Sequence, residues 1–100
     1  MFFITCVQQL TVDDKGWLDT GAQRTVGYYD NLDDTVSAIL ENCCDIQEYI
    51  FHYAILEEIP AGVYPSCNLR KVFEFDDNTR IFHEIAEPAC MKHIASFSIG

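Results

Sequence analysis

The sequence contains no apolar run approaching the ~18 residues that a membrane-spanning helix needs, so no such helix is expected. It is poor in positive charge: six lysines and arginines face sixteen aspartates and glutamates, for a formal charge of −10. A chain so acidic lacks the basic footprint of a protein that binds a nucleic-acid backbone directly. Its five glycines are well separated in sequence, which excludes the glycine-rich phosphate loops of the Walker and Rossmann types. Repeats, low-complexity tracts and linkers are missing too, and so is any sign of a domain boundary. The opening Met1-Phe2-Phe3-Ile4-Thr5-Cys6-Val7 has no basic region and its apolar run is short, unlike a signal peptide. The five cysteines are odd in number, include the adjacent pair Cys43 and Cys44, and have no framework spacing. Reduced thiols and a cytoplasmic location are the expectation.

What is present suits one globular domain spanning residues 1–100. Hydrophobic residues form 49% of the chain and charged residues 22%, the usage of folded proteins. A chain of 100 residues buries enough surface to fold without metal or disulfide staples.

Along the chain, Phe2 to Gln8 is β-branched and aromatic and reads as a strand. A turn follows at Asp13-Asp14-Lys15-Gly16, and a second strand at Gln23 to Tyr29, where Gly27 marks a bulge or a close approach. Asn31 is placed to cap a helix whose first turn carries Asp33 and Asp34, favoured there by exposed N–H groups. Leu32, Val36, Ile39, Leu40 and Cys43 recur at helical spacing, which predicts an amphipathic helix from Leu32 to about Cys43. Tyr49 to Ile59 has apolar residues on both parities, as in a central strand covered on both faces. Arg70 to Phe75 and Arg80 to Ile85 form a hairpin around Asp76-Asp77-Asn78-Thr79. Ile94 to Ile99 reads as a last strand. The fold class expected is α+β: a mostly antiparallel sheet of about five to six strands, with one main amphipathic helix on one face.

No catalytic residue and no cofactor emerge from this pattern. Cys90-Met91-Lys92-His93 is half a metal site at most, and no metal is expected. Cys43 and Cys6 read as buried thiols, which burial makes inert, whereas Cys67 in a polar loop reads as the most exposed one. The acidic turns lack the twelve-residue pattern of a calcium hand and read as solvated turns. His52, within an apolar stretch, reads as a hydrogen-bonded core residue. Arg24 beside Gly27, Tyr28 and Tyr29 suits an anionic or planar ligand, but the simpler reading pairs Arg24 with a nearby carboxylate.

Several stretches resemble a group of short uncharacterised proteins encoded by gut-dwelling Gram-positive bacteria and their mobile elements. They are Arg24-Thr25-Val26-Gly27-Tyr28-Tyr29, Cys44 to Tyr49, Tyr53 to Ile59 with Gly62 and Tyr64-Pro65, and the ending His93 to Gly100. The resemblance brings no catalytic motif. By analogy it implies a protein that works by binding, such as a mobile-element inhibitor of a host defence system.

Three function classes follow. The leading one is a non-enzymatic binding protein whose acidic face, including Asp30, Asp33 and Asp34, engages a basic protein surface, itself a candidate nucleic-acid binder. The second is a small-ligand protein for a nucleotide-like molecule, with Arg24, Tyr28 and Tyr29 as the ligand-binding residues. The third is a small enzyme gathering Cys67, His83 or His93 with a carboxylate in space. A homodimer is expected as well, because one helix leaves a second sheet face and two strand edges to be covered.

Overall fold

A computed structural model describes residues 1–99. Its element order is β1 (Phe2–Val7), β2 (Thr11–Val12), β3 (Leu18–Asp19), β4 (Gln23–Tyr29), α1 (Leu32–Leu40), β5 (Tyr53–Glu58), β6 (Leu69–Asp76) and β7 (Ile81–Ile85). Two 3₁₀ turns, Cys43–Asp45 and Ala89–Met91, complete it. Five strands form one sheet in the order β4-β1-β5-β6-β7, with every neighbouring pair antiparallel. β2 and β3 pair apart as a small ribbon closed by Asp13, whose Oδ1 accepts from the backbone of Lys15 and Trp17 at 2.9 Å each. The α+β class is as the sequence implies, and β5 does lie at the centre.

The register explains Gly27. Ile4 faces Gly27 while Thr5 faces Thr25, so Val26 is an extra residue and β4 is bulged there.

Each face of the sheet has its own cover. On one face, Ile4, Cys6, Ala54, Leu56, Phe73, Phe75 and Phe82 pack with Ala38 and Ile39 of α1 and with Phe51. The helix begins where expected, with Asn31 Oδ1 accepting from the Asp34 N–H at 2.8 Å. It stops at Leu40, short of the expected Cys43, because Asn42 turns left-handed at φ 47°. The Asn42 side chain accepts from Gln47 N–H at 3.0 Å and donates to Asp45 at 3.2 Å, which favours a turn over another helical turn. Cys43 therefore leaves the apolar face and is exposed, correcting its reading as buried. Residues 49–51 are not strand either. The N–H groups of Ile50 and Phe51 both donate to Gln47 O, so this stretch is a turn with Phe51 as its buried anchor.

The opposite face carries Val7, Ile55 and Val72, and Met91 and Phe97 close over them. Here the expected last strand, Ile94 to Ile99, is overturned: residues 92–99 form no strand and cross the sheet as an irregular strap. Its backbone has another partner. The fully buried Glu57 of β5 accepts from Phe97 N–H at 2.9 and 3.0 Å, from Ser98 N–H at 2.9 Å and from Ser96 Oγ at 3.2 Å. Arg70 on the neighbouring β6 donates to Glu57 Oε2 through Nε at 2.9 Å and lies at 2.8 Å through Nη2. The same guanidinium reaches Ile94 O at 2.6 Å and Met91 O at 3.3 Å, and stands 5.1 Å from the centre of the Phe97 ring. The strap thus covers Val7, Ile55 and Val72 on the second sheet face, while Tyr28 on that face stays exposed.

Removing one member of a buried pair strands the other's charge. Arg70→Met should lower unfolding free energy by about 3 kcal/mol or more, since Glu57 stays fully buried without its cation. Urea denaturation checks this, a shifted midpoint at unchanged slope being the expected result.

Candidate functional site

An apolar surface feature lies at the end of the sheet where β1 starts and β5 finishes. Met1 and Ile59 are held together there, Ile59 N–H donating to Met1 O at 2.9 Å. Met1, Phe3, Ile59, Pro60, Ala61, Gly62, Pro65 and Ile99 line an apolar groove of about 380 Å³. Gly62 sits at φ 141°, a conformation that a side chain opposes, and so permits the tight loop on one wall. Beyond it Val63 and Tyr64 are 87% and 95% exposed. Phe3 and Tyr28 stack at 5.6 Å beside the groove.

The same end of the sheet is acidic. Phe2 pairs with both Tyr29 and Glu58, so the ends of β4 and β5 lie on either side of the start of β1. Asp30 follows β4 directly, and Asp33 and Asp34 occupy the first turn of α1. All three are exposed, Glu58 is half-buried, and none of the four is paired with a basic side chain among the described residues. The Asn31 amide links Asp30 and Asp34 by hydrogen bonds of 3.2 and 2.8 Å. Four of the six lysines and arginines are committed elsewhere: Arg24 to Glu48, Arg70 to Glu57 and Glu87, Lys71 to Glu84, and Arg80 to Asp77.

Arg24, Tyr28 and Tyr29 do not come together. Arg24 lies opposite Cys6 and meets Glu48 at 3.3 Å, the simple pairing the sequence suggested. Tyr29 packs against the helix-side core, whereas Tyr28 is exposed against Phe3 on the other face. Arg24 lines a different cleft of about 230 Å³ with Thr25, Val26, Cys44, Asp45, Ile46 and Glu48.

His52 is also placed otherwise than expected. It precedes β5, is partly exposed, and faces Glu74 at 3.6 Å, with His83 on the other carboxylate oxygen at 3.8 Å. Nearby, Tyr53 is held above its ordinary pKa by burial and by the Glu74 carboxylate. Cys67 is half-buried, with burial pushing its thiol up, so Cys43 and Cys44 rather than Cys67 are the exposed thiols. Among the described residues no three His, Cys, Asp or Glu side chains gather as a metal site. Neither the groove nor the buried Glu57–Arg70 pair was evident from the sequence; the only local signal was the Pro60–Pro65 loop.

No family model, curated protein or solved structure matches the chain.

Cys6 provides a pH test of the core. Burial, and then the Glu48 carboxylate, push its thiol from 9.0 up to about 12. The folded state keeps this proton over a range where the unfolded chain loses it, so the stabilisation is complete below pH 9.0 and is lost towards about 12. Urea titrations across that window should show Cys6 contributing a decline of about 1.4 kcal/mol per pH unit, read as the difference in slope between wild type and Cys6→Ala.

Proposed function

We propose that this protein is a non-enzymatic binding protein that engages a basic protein surface with the acidic, groove-bearing end of its sheet. One juxtaposition supports the reading: an apolar groove with exposed Val63 and Tyr64 beside it, at the same end of the sheet as the unpaired Asp30, Asp33, Asp34 and Glu58. An apolar centre with a polar, charged rim is the anatomy of a protein interface. The carboxylates steer a basic partner towards the groove, and the apolar side chains hold it once docked. A partner that itself binds nucleic acid has the required charge, and the resemblance to mobile-element proteins makes a component of a host defence system its most concrete form.

Capture of a partner from host lysate, followed by association kinetics across ionic strength, tests the proposal. Asp30→Asn/Asp33→Asn/Glu58→Gln should slow association by roughly tenfold at low salt and leave dissociation little changed. Tyr64→Ala, at a side chain with almost no intramolecular cover, should instead speed dissociation by about tenfold. Association indifferent to salt, or an acidic partner, counts against the reading.

A further inference from the structure

Between α1 and β5 the chain forms a hook, residues 41–52, that presents two adjacent thiols to solvent. Cys43 and Cys44 are both exposed and their Sγ atoms lie 3.9 Å apart. The hook is held from several sides: Asp45 N–H donates to Asn42 O at 2.9 Å, Glu48 N–H to Asp45 O at 3.1 Å, and Gln47 is buried. Ile46 packs against the helix-side core. The backbone is strained, with Cys44, Asp45, Glu48 and Tyr49 at φ 54°, 55°, 51° and 61°, a region that costs each non-glycine residue of order 1 kcal/mol. Cys44 also lines the clefts between the hook and β4, with Val26 and Ile46.

We propose that Cys43 and Cys44 form a redox modification site, which a small-molecule disulfide of the oxidised-glutathione class converts to a vicinal disulfide, reshaping the cleft between the hook and β4. One cysteine thiolate attacks the small disulfide. A protein–small-molecule S–S bond forms, the original S–S bond breaks, and one small thiol leaves with a proton. The second cysteine thiolate attacks its neighbour's sulfur and expels the second small thiol. The two cysteines lose two hydrogens and two electrons, and the small disulfide is reduced to two thiols.

Proximity favours the second step, since the thiols are adjacent, both exposed and already in contact. Closure must bring the sulfurs from 3.9 Å to about 2.0 Å, so the cysteine side chains and the Cys44 backbone must move. Adjacent Cα atoms lie about 3.8 Å apart, below the usual disulfide span of about 4.4 Å or more, so the ring is strained and easily reduced. Exposed, strained disulfides are the labile and regulatory kind. The mutual S–H···S contact, followed by the charge of Cys44, holds the Cys43 thiol above its ordinary pKa. The other cysteines serve as internal controls, Cys6 being fully buried and Cys67 and Cys90 half-buried.

The test is incubation of the full chain with oxidised glutathione, read by intact mass and by peptide mapping of the wild type. The expected product is a monomer lighter by two hydrogens, with the bond mapped to Cys43–Cys44 and reversed by dithiothreitol. Cys43→Ser and Cys44→Ser should each accumulate the glutathione adduct on the remaining thiol instead. Amide hydrogen exchange at Val26, Gly27 and Ile46 should differ between the reduced and oxidised wild type. Stable glutathione adducts on wild type, a disulfide mapped to any other pair or between chains, or exchange unchanged on oxidation would overturn the proposal.

Discussion

The buried carboxylate of Glu57 is the constraint on which one face of the molecule depends. It is fully buried on the central strand and could be tolerated there only with a cation and several donors, which Arg70 and the backbone of Phe97 and Ser98 supply. In return it satisfies N–H groups of an irregular segment lying across a sheet, where no strand is available to accept them. Arg70 repeats this service for the carbonyls of Met91 and Ile94. An apolar residue at position 57 would leave those backbone groups without their partner, so the charge pair is what allows the strap to lie flat and Phe97 and Met91 to close the second core.

The groove inherits this arrangement. Ile99 lines it, and Ile99 N–H donates to Ser96 Oγ at 3.1 Å, the same hydroxyl that reaches Glu57. The apolar wall and the buried ion pair are therefore mechanically continuous. On the other side Met1 and Ile59 fix the groove floor through the edge of the β1–β5 ladder. The acids at the same end of the sheet have a structural reason of their own, since Asp33 and Asp34 stand in the first turn of the helix, where it exposes N–H groups. Asn31 ties Asp34 to Asp30, so these two carboxylates are held close together while neither pairs with a basic side chain among the described residues.

The hook between α1 and β5 answers a different requirement. Asn42 ends the helix by turning left-handed, and the chain must then bring Phe51 into the core and His52 beside Val7, whose O accepts the His52 N–H at 3.1 Å. Doing so in so few residues forces several non-glycine residues into left-handed conformations. The strain is confined to a surface turn that also carries the exposed thiols. Ile46 and Phe51 join the hook to the core beneath.

The sequence alone determined the α+β class, the helix start at Asn31 and the central position of β5, and narrowed Gly27 to a bulge or a close approach and Arg24 to a carboxylate pair or a ligand, because each rests on local chemistry: a cap, a run of apolar residues, a glycine, a nearby carboxylate. Where local chemistry was ambiguous, the tertiary structure decided. Tyr49 to Phe51 alternate like a strand, yet they turn on Gln47; Cys43 continues the helical spacing, yet Asn42 has already broken the helix. Ile94 to Ile99 has strand composition, but its N–H groups meet a carboxylate from a strand some forty residues earlier, a partner that no window along the chain contains. The groove was equally illegible, since Met1, Ile59 and Ile99 come from the start, middle and end of the chain and meet only through strand register and the Glu57 contact. Periodicity reports which side of an element is apolar; which element arrives to cover it is settled by long-range hydrogen bonds and packing.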